Sequence, residues 1–208
     1  MSVDHVDGEF ASSNDGYELV YESFDDRPGL SDSHAKWDAL ELPDVSGMTA
    51  LDVGCNEGYF SGRLASSGAA FVFGFDAEDE VIAVARQRFP DVGFAALDWD
   101  RPWEGAIPRL GEYDLALIVS ALHYSQAPED LIEKIHSALA PGGLLVFEGG
   151  VAEGEGDRVR VVREHDVTWH FTHSGLERLF ADWRIERVTP SITQATDPIP
   201  RFVYHVRR

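Results

Sequence analysis

Residues 51–60 read LDVGCNEGYF, an apolar run carrying one aspartate that breaks into a glycine-punctuated turn and then into a helix-like segment. Ala50, Leu51 and Val53 read as the end of a buried parallel strand, and Gly54 and Gly58 supply the tight turn. A strand–turn–helix of this kind lets backbone N–H groups and a helix N-terminus come close to a ligand. Working outward, a second apolar run at 70–75 (AFVFGF) ends in Asp76, one helix and one return strand beyond Asp52. A carboxylate at that place can accept hydrogen bonds from both hydroxyls of a ribose, which a neutral side chain does poorly. A third strand over 92–96 ends near Leu97 and Asp98. Acids at three successive strand ends point to a nucleotide-like ligand rather than to a turn kept for packing alone.

The rest of the chain continues the alternation. Ser31-Asp32-Ser33 offers N-caps for a short helix through Leu40, which Pro43 ends. Helices are expected over 58–67, 78–88, 128–139 and 173–181. Strands are expected over 49–53, 70–75, 92–96, 143–148, 183–189 and 201–206, and the run 113–120 is added to them by the resemblance given below. Leu131, Ile132, Ile135 and Leu139 share one face of the helix over 128–139, with Pro128, Glu129 and Asp130 in its first turn. Residues 149–168 are rich in Gly, Glu and Arg and read as a long loop or lid. Residues 1–30 are polar and acidic, and the first fifteen or so are expected to be mobile. The fold class is therefore α/β: a doubly wound, mostly parallel seven-stranded sheet with helices on both faces. Residues 1–44 form an N-terminal extension with a possible lid helix, and residues 45–208 form the cofactor-binding domain.

These residues resemble the class I S-adenosylmethionine-dependent methyltransferases, and the resemblance is best over residues 45–150. Asp52-Val53-Gly54-Cys55-Asn56-Glu57-Gly58, with Tyr59 following, looks like the motif that wraps the methionine part of the cofactor. The resemblance implies that Asp52 orients the cofactor's ammonium and that Asp76, with Ala77 beside it, holds the ribose hydroxyls. It further implies that Leu97, Asp98 and Trp99 contact the adenine. Tyr113–Ser120 (YDLALIVS) looks like the family's fourth strand, which puts Ser120 at the cofactor, and Leu139-Ala140-Pro141-Gly142-Gly143-Leu144 looks like the turn before the fifth. The family's middle glycine is Asn56 here, a residue that tolerates positive φ better than other side chains. A nicotinamide-binding fingerprint would need glycine at that second position and again three residues on. S-adenosyl-L-methionine is the expected cofactor.

Composition fits one soluble catalytic domain of ordinary size. There is no apolar run of membrane-spanning length and no signal-peptide pattern, so a cytoplasmic location is expected. The single cysteine, Cys55, excludes an internal disulfide and reads as a small packing residue in the turn. Seventeen basic residues against 37 acidic ones give a net charge of −20, and the only lysines are Lys36 and Lys134. Such a chain repels polyanions, which makes nucleic acid an unlikely partner. The same composition is what adaptation to high salt would produce.

In open α/β sheets the ligand sits outside the carboxyl ends of the strands. That rule gives His123 and Tyr124 after the fourth strand, Glu148 at the end of the fifth, and the loop with His165, Trp169, His170 and His173 as the acceptor side. Methyl transfer from a sulfonium is an in-line displacement for which the protein positions the acceptor and removes a proton. His123 is the first choice for that base. Tyr124, Glu148, Trp169 and His170 are the candidate acceptor contacts. Lys36 and Trp37 belong to the possible lid. His165, Asp166, His170 and His173 match no compact metal motif, so no metal is expected, and Thr172-His173-Ser174 reads as a helix start. The favoured reading is methyl transfer to an oxygen or nitrogen of a small molecule. One alternative rests on Lys36-Trp37 and the following stretch, which resembles the entry to enzymes that alkylate tRNA wobble uridine. The other is a methyltransferase-like fold serving as a regulatory subunit.

Overall fold

The computed structural model describes residues 21–162, 167–193 and 199–208. The helices are α1 (Ser33–Ala39), α2 (Tyr59–Ser66), α3 (Asp79–Arg88), α4 (Pro128–Ala138) and α5 (His173–Leu179). The strands are β1 (Thr49–Val53), β2 (Phe71–Asp76), β3 (Gly93–Ala96), β4 (Tyr113–Val119), β5 (Leu139–Gly150), β6 (Arg158–Val162), β7 (Val167–Phe171), β8 (Arg184–Pro190) and β9 (Arg201–Arg207). Seven strands form one sheet in the order β3-β2-β1-β4-β5-β9-β8. β3 through β5 run parallel, and β9 returns antiparallel between β5 and β8.

Alternation along the strands feeds two cores. Leu51, Val53, Phe73, Phe75, Ala116 and Ile118 face α4 and α5, where Leu131, Ile132, Ile135 and Leu176 are buried. Ala50, Val72, Leu115, Leu117 and Val119 face the other way, toward Leu40, Tyr59, Phe60 and Leu64 of the α1–α2 side. Each buried Leu or Ile of α4 contributes about 1.5–3 kcal/mol by leaving water. Asp32 caps α1, its carboxylate accepting from the Ala35 N–H at 3.0 Å, and Thr172 caps α5 through the Gly175 N–H at 3.0 Å. Because β1 is central and the chain turns to opposite sides at β1 and β4, the crevice between their carboxyl ends is the switch point where a ligand is expected.

The region expected to be a loop over 149–168 is built differently. β5 continues to Gly150, and β6 and β7 pair antiparallel as a separate ribbon with Arg158 opposite Phe171 and Arg160 opposite Trp169. Arg158-Val159-Arg160-Val161 alternates as a strand must, a signal masked by the Gly- and Glu-rich run just before it. His165, Asp166 and Arg163, like residues 1–20, lie outside the described residues. Among the described residues no helix is long and apolar enough to cross a membrane.

Candidate functional site

After β1 the backbone turns through Gly54 (φ +74°), Asn56 (φ +46°) and Gly58 (φ +85°). The Gly54 and Cys55 N–H groups both donate to the Phe75 carbonyl, at 2.9 and 3.0 Å, which fixes the turn against β2. Asn56 holds its left-handed conformation with two bonds. Its N–H donates to Asp76 Oδ2 at 3.0 Å, and its side-chain oxygen accepts from the Glu57 N–H at 2.8 Å. A side chain at Gly54 would come within 2.8 Å of Ala121 Cβ and 3.2 Å of the Trp99 ring. The turn, the segment after β3 and the segment after β4 therefore meet at this one glycine.

The expected cofactor residues gather here. Asp76 is partly exposed, and among the described residues its Oδ2 accepts from the Asn56 N–H and its Oδ1 from the Glu78 N–H at 3.3 Å. Two carboxylate oxygens have about four acceptor sites, so capacity remains for hydroxyl donors. Ala77 is exposed next to it. Leu97 donates its N–H to the Asp76 carbonyl at 2.8 Å, Asp98 is exposed, and Trp99 is half-buried. Lys134 of α4 pins this segment, donating to the Trp99 carbonyl at 2.7 Å. Asp52 is buried and accepts from Ser61 Oγ at 2.6 Å. Burial pushes its carboxyl up to about 7; the Ser61 hydrogen bond lowers it and the Asp76 charge raises it. Burial likewise raises the Cys55 thiol, which keeps it an unreactive packing group.

At the end of β4, Ser120 adopts φ +55° and is the centre of a buried ionic network. Its hydroxyl donates to Glu148 Oε2 at 2.9 Å and accepts from Lys36 Nζ at 2.8 Å and Arg201 Nη2 at 2.6 Å. Glu148 Oε1 accepts from Arg201 Nε at 2.8 Å and from Ser191 Oγ at 2.9 Å. Burial alone would raise the Glu148 carboxyl, but the Arg201 hydrogen bonds and charge, with Lys36 behind them, hold it below its ordinary value. Glu148 thus serves this network. Lys36 is buried, and Trp37 is partly buried against the core that holds Leu40 and Leu64, with the Arg63 guanidinium 5.3 Å from its ring.

Next to this network lies a cavity of about 440 Å³ lined by His123, Tyr124, Gln126, Arg158 and Trp169. Tyr124 and Trp169 are about half exposed there. The His123 ring stacks on His170 with centroids 5.2 Å apart, and His170 is buried behind it. His170 Nδ1 lies 3.4 Å from the Gly150 carbonyl, which can only accept, so Nδ1 carries the proton. Nε2 lies 3.0 Å from Thr168 Oγ1, and His170 forms a buried shelf under His123. Among the described residues no group of three or more His, Cys, Asp or Glu is arranged to hold a metal ion.

Three participants escaped the sequence reading. Arg201 opens β9 after a proline, with no motif around it. Ser61 sits one turn into α2, where it reads as a neutral helix residue. Glu22 lies in a polar stretch, yet it is buried and accepts from the Tyr59 N–H at 3.1 Å. It caps α2, whose Gly58 N-cap has no side chain to do so.

A family model described as a methyltransferase domain matches residues 44–181. The tRNA U34 carboxymethyltransferase of Pseudoalteromonas translucida is 31% identical over 137 residues, covering 61% of this chain and 40% of that protein. The enzyme of the same name from Alcanivorax borkumensis is 35% identical over 128 residues, covering 58% and 38%. The chain thus spans about two-fifths of the length of these curated relatives. In three dimensions, the S-adenosylmethionine-dependent methyltransferase from Mesorhizobium loti superposes with a TM-score of 0.68 at 24% identity, over 86% of this chain and 100% of that one. At that identity the likeness speaks for the fold.

Proposed function

Since the chain belongs to the methyltransferase-domain family, whose model spans more than half of it, we propose that it is an S-adenosylmethionine-dependent methyltransferase acting on an oxygen or nitrogen of a small molecule in the cytoplasm. The observation that carries the cofactor is the turn itself. Its left-handed backbone at Gly54, Asn56 and Gly58 lets the turn close against Ala121, Trp99 and Phe94, and the partly exposed Asp76 at the end of β2 keeps acceptor capacity for the hydroxyls of a ribose. The residues fit the group: Gly54–Gly58 and Asp52 toward the methionine end, Asp76 at the ribose, Leu97, Asp98 and Trp99 at the adenine. When bound, the sulfonium supplies an electrophilic methyl group. The protein's own part is to hold the acceptor and take its proton.

The cavity between Tyr124 and Trp169 supports a flat, ring-bearing acceptor, because aromatic side chains about half exposed offer stacking faces. His123 borders that cavity and is held from below by the buried His170 ring, a position suited to the base for a hydroxyl or amine. His123→Ala is expected to lower turnover by about 100-fold with little change in cofactor affinity. A screen of phenols, catechols and primary amines for release of S-adenosylhomocysteine supplies the acceptor for that measurement. Full turnover in the variant would remove the assigned base. Asp76→Ala is expected to weaken S-adenosylmethionine binding by about 1–3 kcal/mol through lost charged hydrogen bonds. An unchanged dissociation constant by calorimetry would show that the ribose lies elsewhere.

The names of the curated relatives favour a second reading, carboxymethyl transfer to tRNA wobble uridine. The buried Lys36 beside Ser120 is the feature that would meet an extra carboxylate on such a cofactor. A net charge of −20 speaks against a tRNA acceptor. Calorimetry with S-adenosylmethionine and with its carboxylated analogue separates the two. Preference for the former supports the small-molecule reading, preference for the latter the second, and binding of neither sinks both.

A further inference from the structure

The cavity between Tyr124 and Trp169 has a charge pattern that runs against the composition of the chain. Arg158 lines it and carries a permanent positive charge, and among the described residues no Asp or Glu lines it. The chain as a whole has 37 acidic residues against 17 basic ones. An acid-free wall holding a guanidinium is therefore a local exception.

The β6–β7 ribbon places that guanidinium. Arg158 stands on β6 opposite Phe171 of β7, and Arg160, on the same face, stands opposite Trp169. The Arg158 guanidinium lies over the buried Phe171 ring, 5.5 Å from its centre, which steadies it at the cavity wall. Among the described residues its carboxylate partner is Glu129 in the first turn of α4, whose Oε1 is 3.7 Å from Arg158 Nη2. That distance is beyond hydrogen-bonding reach. The Glu129 side chain is also 64% exposed, so the pair is weak and screened by water. The planar fork of N–H donors on Arg158 keeps room for a better-placed carboxylate.

Resting on the acceptor reading above, we propose that Arg158 is a specificity-determining residue, and that the acceptor ring bears a carboxylate besides the hydroxyl or amine that is methylated. In chemical class it is a hydroxy- or aminobenzoate. Tyr124 and Trp169 offer faces to the ring, Arg158 takes the carboxylate, and His123 serves the hydroxyl or amine. The carboxylate has no part in the transfer; it fixes the orientation of the ring. A guanidinium matches a carboxylate in plane and spacing, which a neutral amide of the same shape does not exploit. A single negative charge also meets far less repulsion from a chain of net charge −20 than a polyanion would, and Arg158 offsets it locally.

Calorimetric titration of the whole chain, with and without S-adenosylhomocysteine, tests this. The probes are the isomeric hydroxybenzoates and aminobenzoates, each set against the benzamide of the same shape. The wild type is expected to bind at least one acid on the order of tenfold more tightly than its amide. Arg158→Gln is expected to weaken that acid on the order of tenfold and its amide by less than about twofold. Glu129→Gln removes the competing carboxylate and is expected to tighten the acid by about twofold, which a merely structural ion pair would not do. That variant decides the question by itself if the ribbon does not tolerate Arg158→Gln. With the acid as acceptor, Arg158→Gln is expected to act on KM and His123→Ala on kcat. Acids and amides that bind alike to the wild type, or equal weakening of both by Arg158→Gln, overturn the role of Arg158. Methyl transfer to neutral phenols with no preference for acids overturns it and leaves the small-molecule reading standing. Transfer to an anticodon stem-loop and to none of the rings overturns both. A wild type that does not bind S-adenosylhomocysteine refutes the cofactor reading instead, and the titrations without it still read the preference for carboxylate.

Discussion

Replacing Arg201 with methionine is expected to destabilise the protein by about 3–5 kcal/mol, because it strands a buried carboxylate that was paired. Arg201 is 2% exposed and Glu148 is fully buried, and the guanidinium meets both carboxylate oxygens. A surface pair with the same geometry would contribute under about 1 kcal/mol. The difference is dehydration: once Glu148 is out of water, among the described residues Arg201, Ser191, Ser120 and the Lys36 charge compensate it. Glu148→Gln in the same background is expected to recover part of the loss, since it removes the stranded charge. A double-mutant cycle by denaturant unfolding measures that coupling. A single-variant cost under about 1 kcal/mol would mean that water reaches this network. The pH dependence follows from the lowered Glu148 carboxyl. Its stability is present above the unfolded carboxylate value of about 4.3 and is lost as pH falls through the lower folded value.

Asp52 carries the opposite sign, and Asp52→Asn is expected to stabilise the ligand-free protein at pH 8. Burial raises this carboxyl to about 7, against about 3.9 for an unfolded aspartate. Between those values the folded state holds a proton that the unfolded state has released. Stability from this group therefore falls as pH rises from about 4 to about 7 and is level above that. Three units correspond to roughly 4 kcal/mol, which the asparagine variant regains at alkaline pH and not at pH 4. The asparagine oxygen still accepts from Ser61, so the hydrogen bond is kept. Cofactor affinity should fall in the same variant, and the wild type should release protons on binding S-adenosylmethionine near pH 6, as a nearby ammonium favours the ionised carboxylate. Unfolding curves at pH 4.5 and 8, with calorimetry in buffers of differing ionisation heat, read both effects. A variant that is destabilised equally at the two pH values would show that Asp52 is not held against its charge.

Local pattern carried much of this molecule. The β1 turn, Asp76 at the end of β2 and the amphipathic face of α4 were legible because each is written within a dozen consecutive residues. Six strands of the main sheet followed from the same periodicities, and the strand at 113–119 from the family resemblance. The β6–β7 ribbon was not, since its Arg–Val alternation sits between a Gly- and Glu-rich run and a histidine-bearing stretch, and composition outweighed period. In the site, Ser120, Lys36 and Glu148 were each noticed as separate candidates. That they form one network could not be seen, because it depends on Arg201, 81 positions from Ser120, and on Lys36, 84 positions from it. Glu22 was hidden for the same reason, since its partner Tyr59 is 37 positions on and no spacing rule links them.

The place of β9 has a kinetic consequence. β8 is made first, yet among the described residues its only strand partner is β9, which must slide into the slot beside β5. Until then β5 shows an open edge of unpaired N–H and C=O groups, and β8 has nothing to pair with. Arg201, the first residue of β9, enters the same slot and meets Glu148 there, so neutralising that buried charge and closing the sheet are one event. Closure of this sheet is therefore expected to be its slow, long-range step, and Arg201→Met is expected to slow refolding measured by stopped-flow fluorescence.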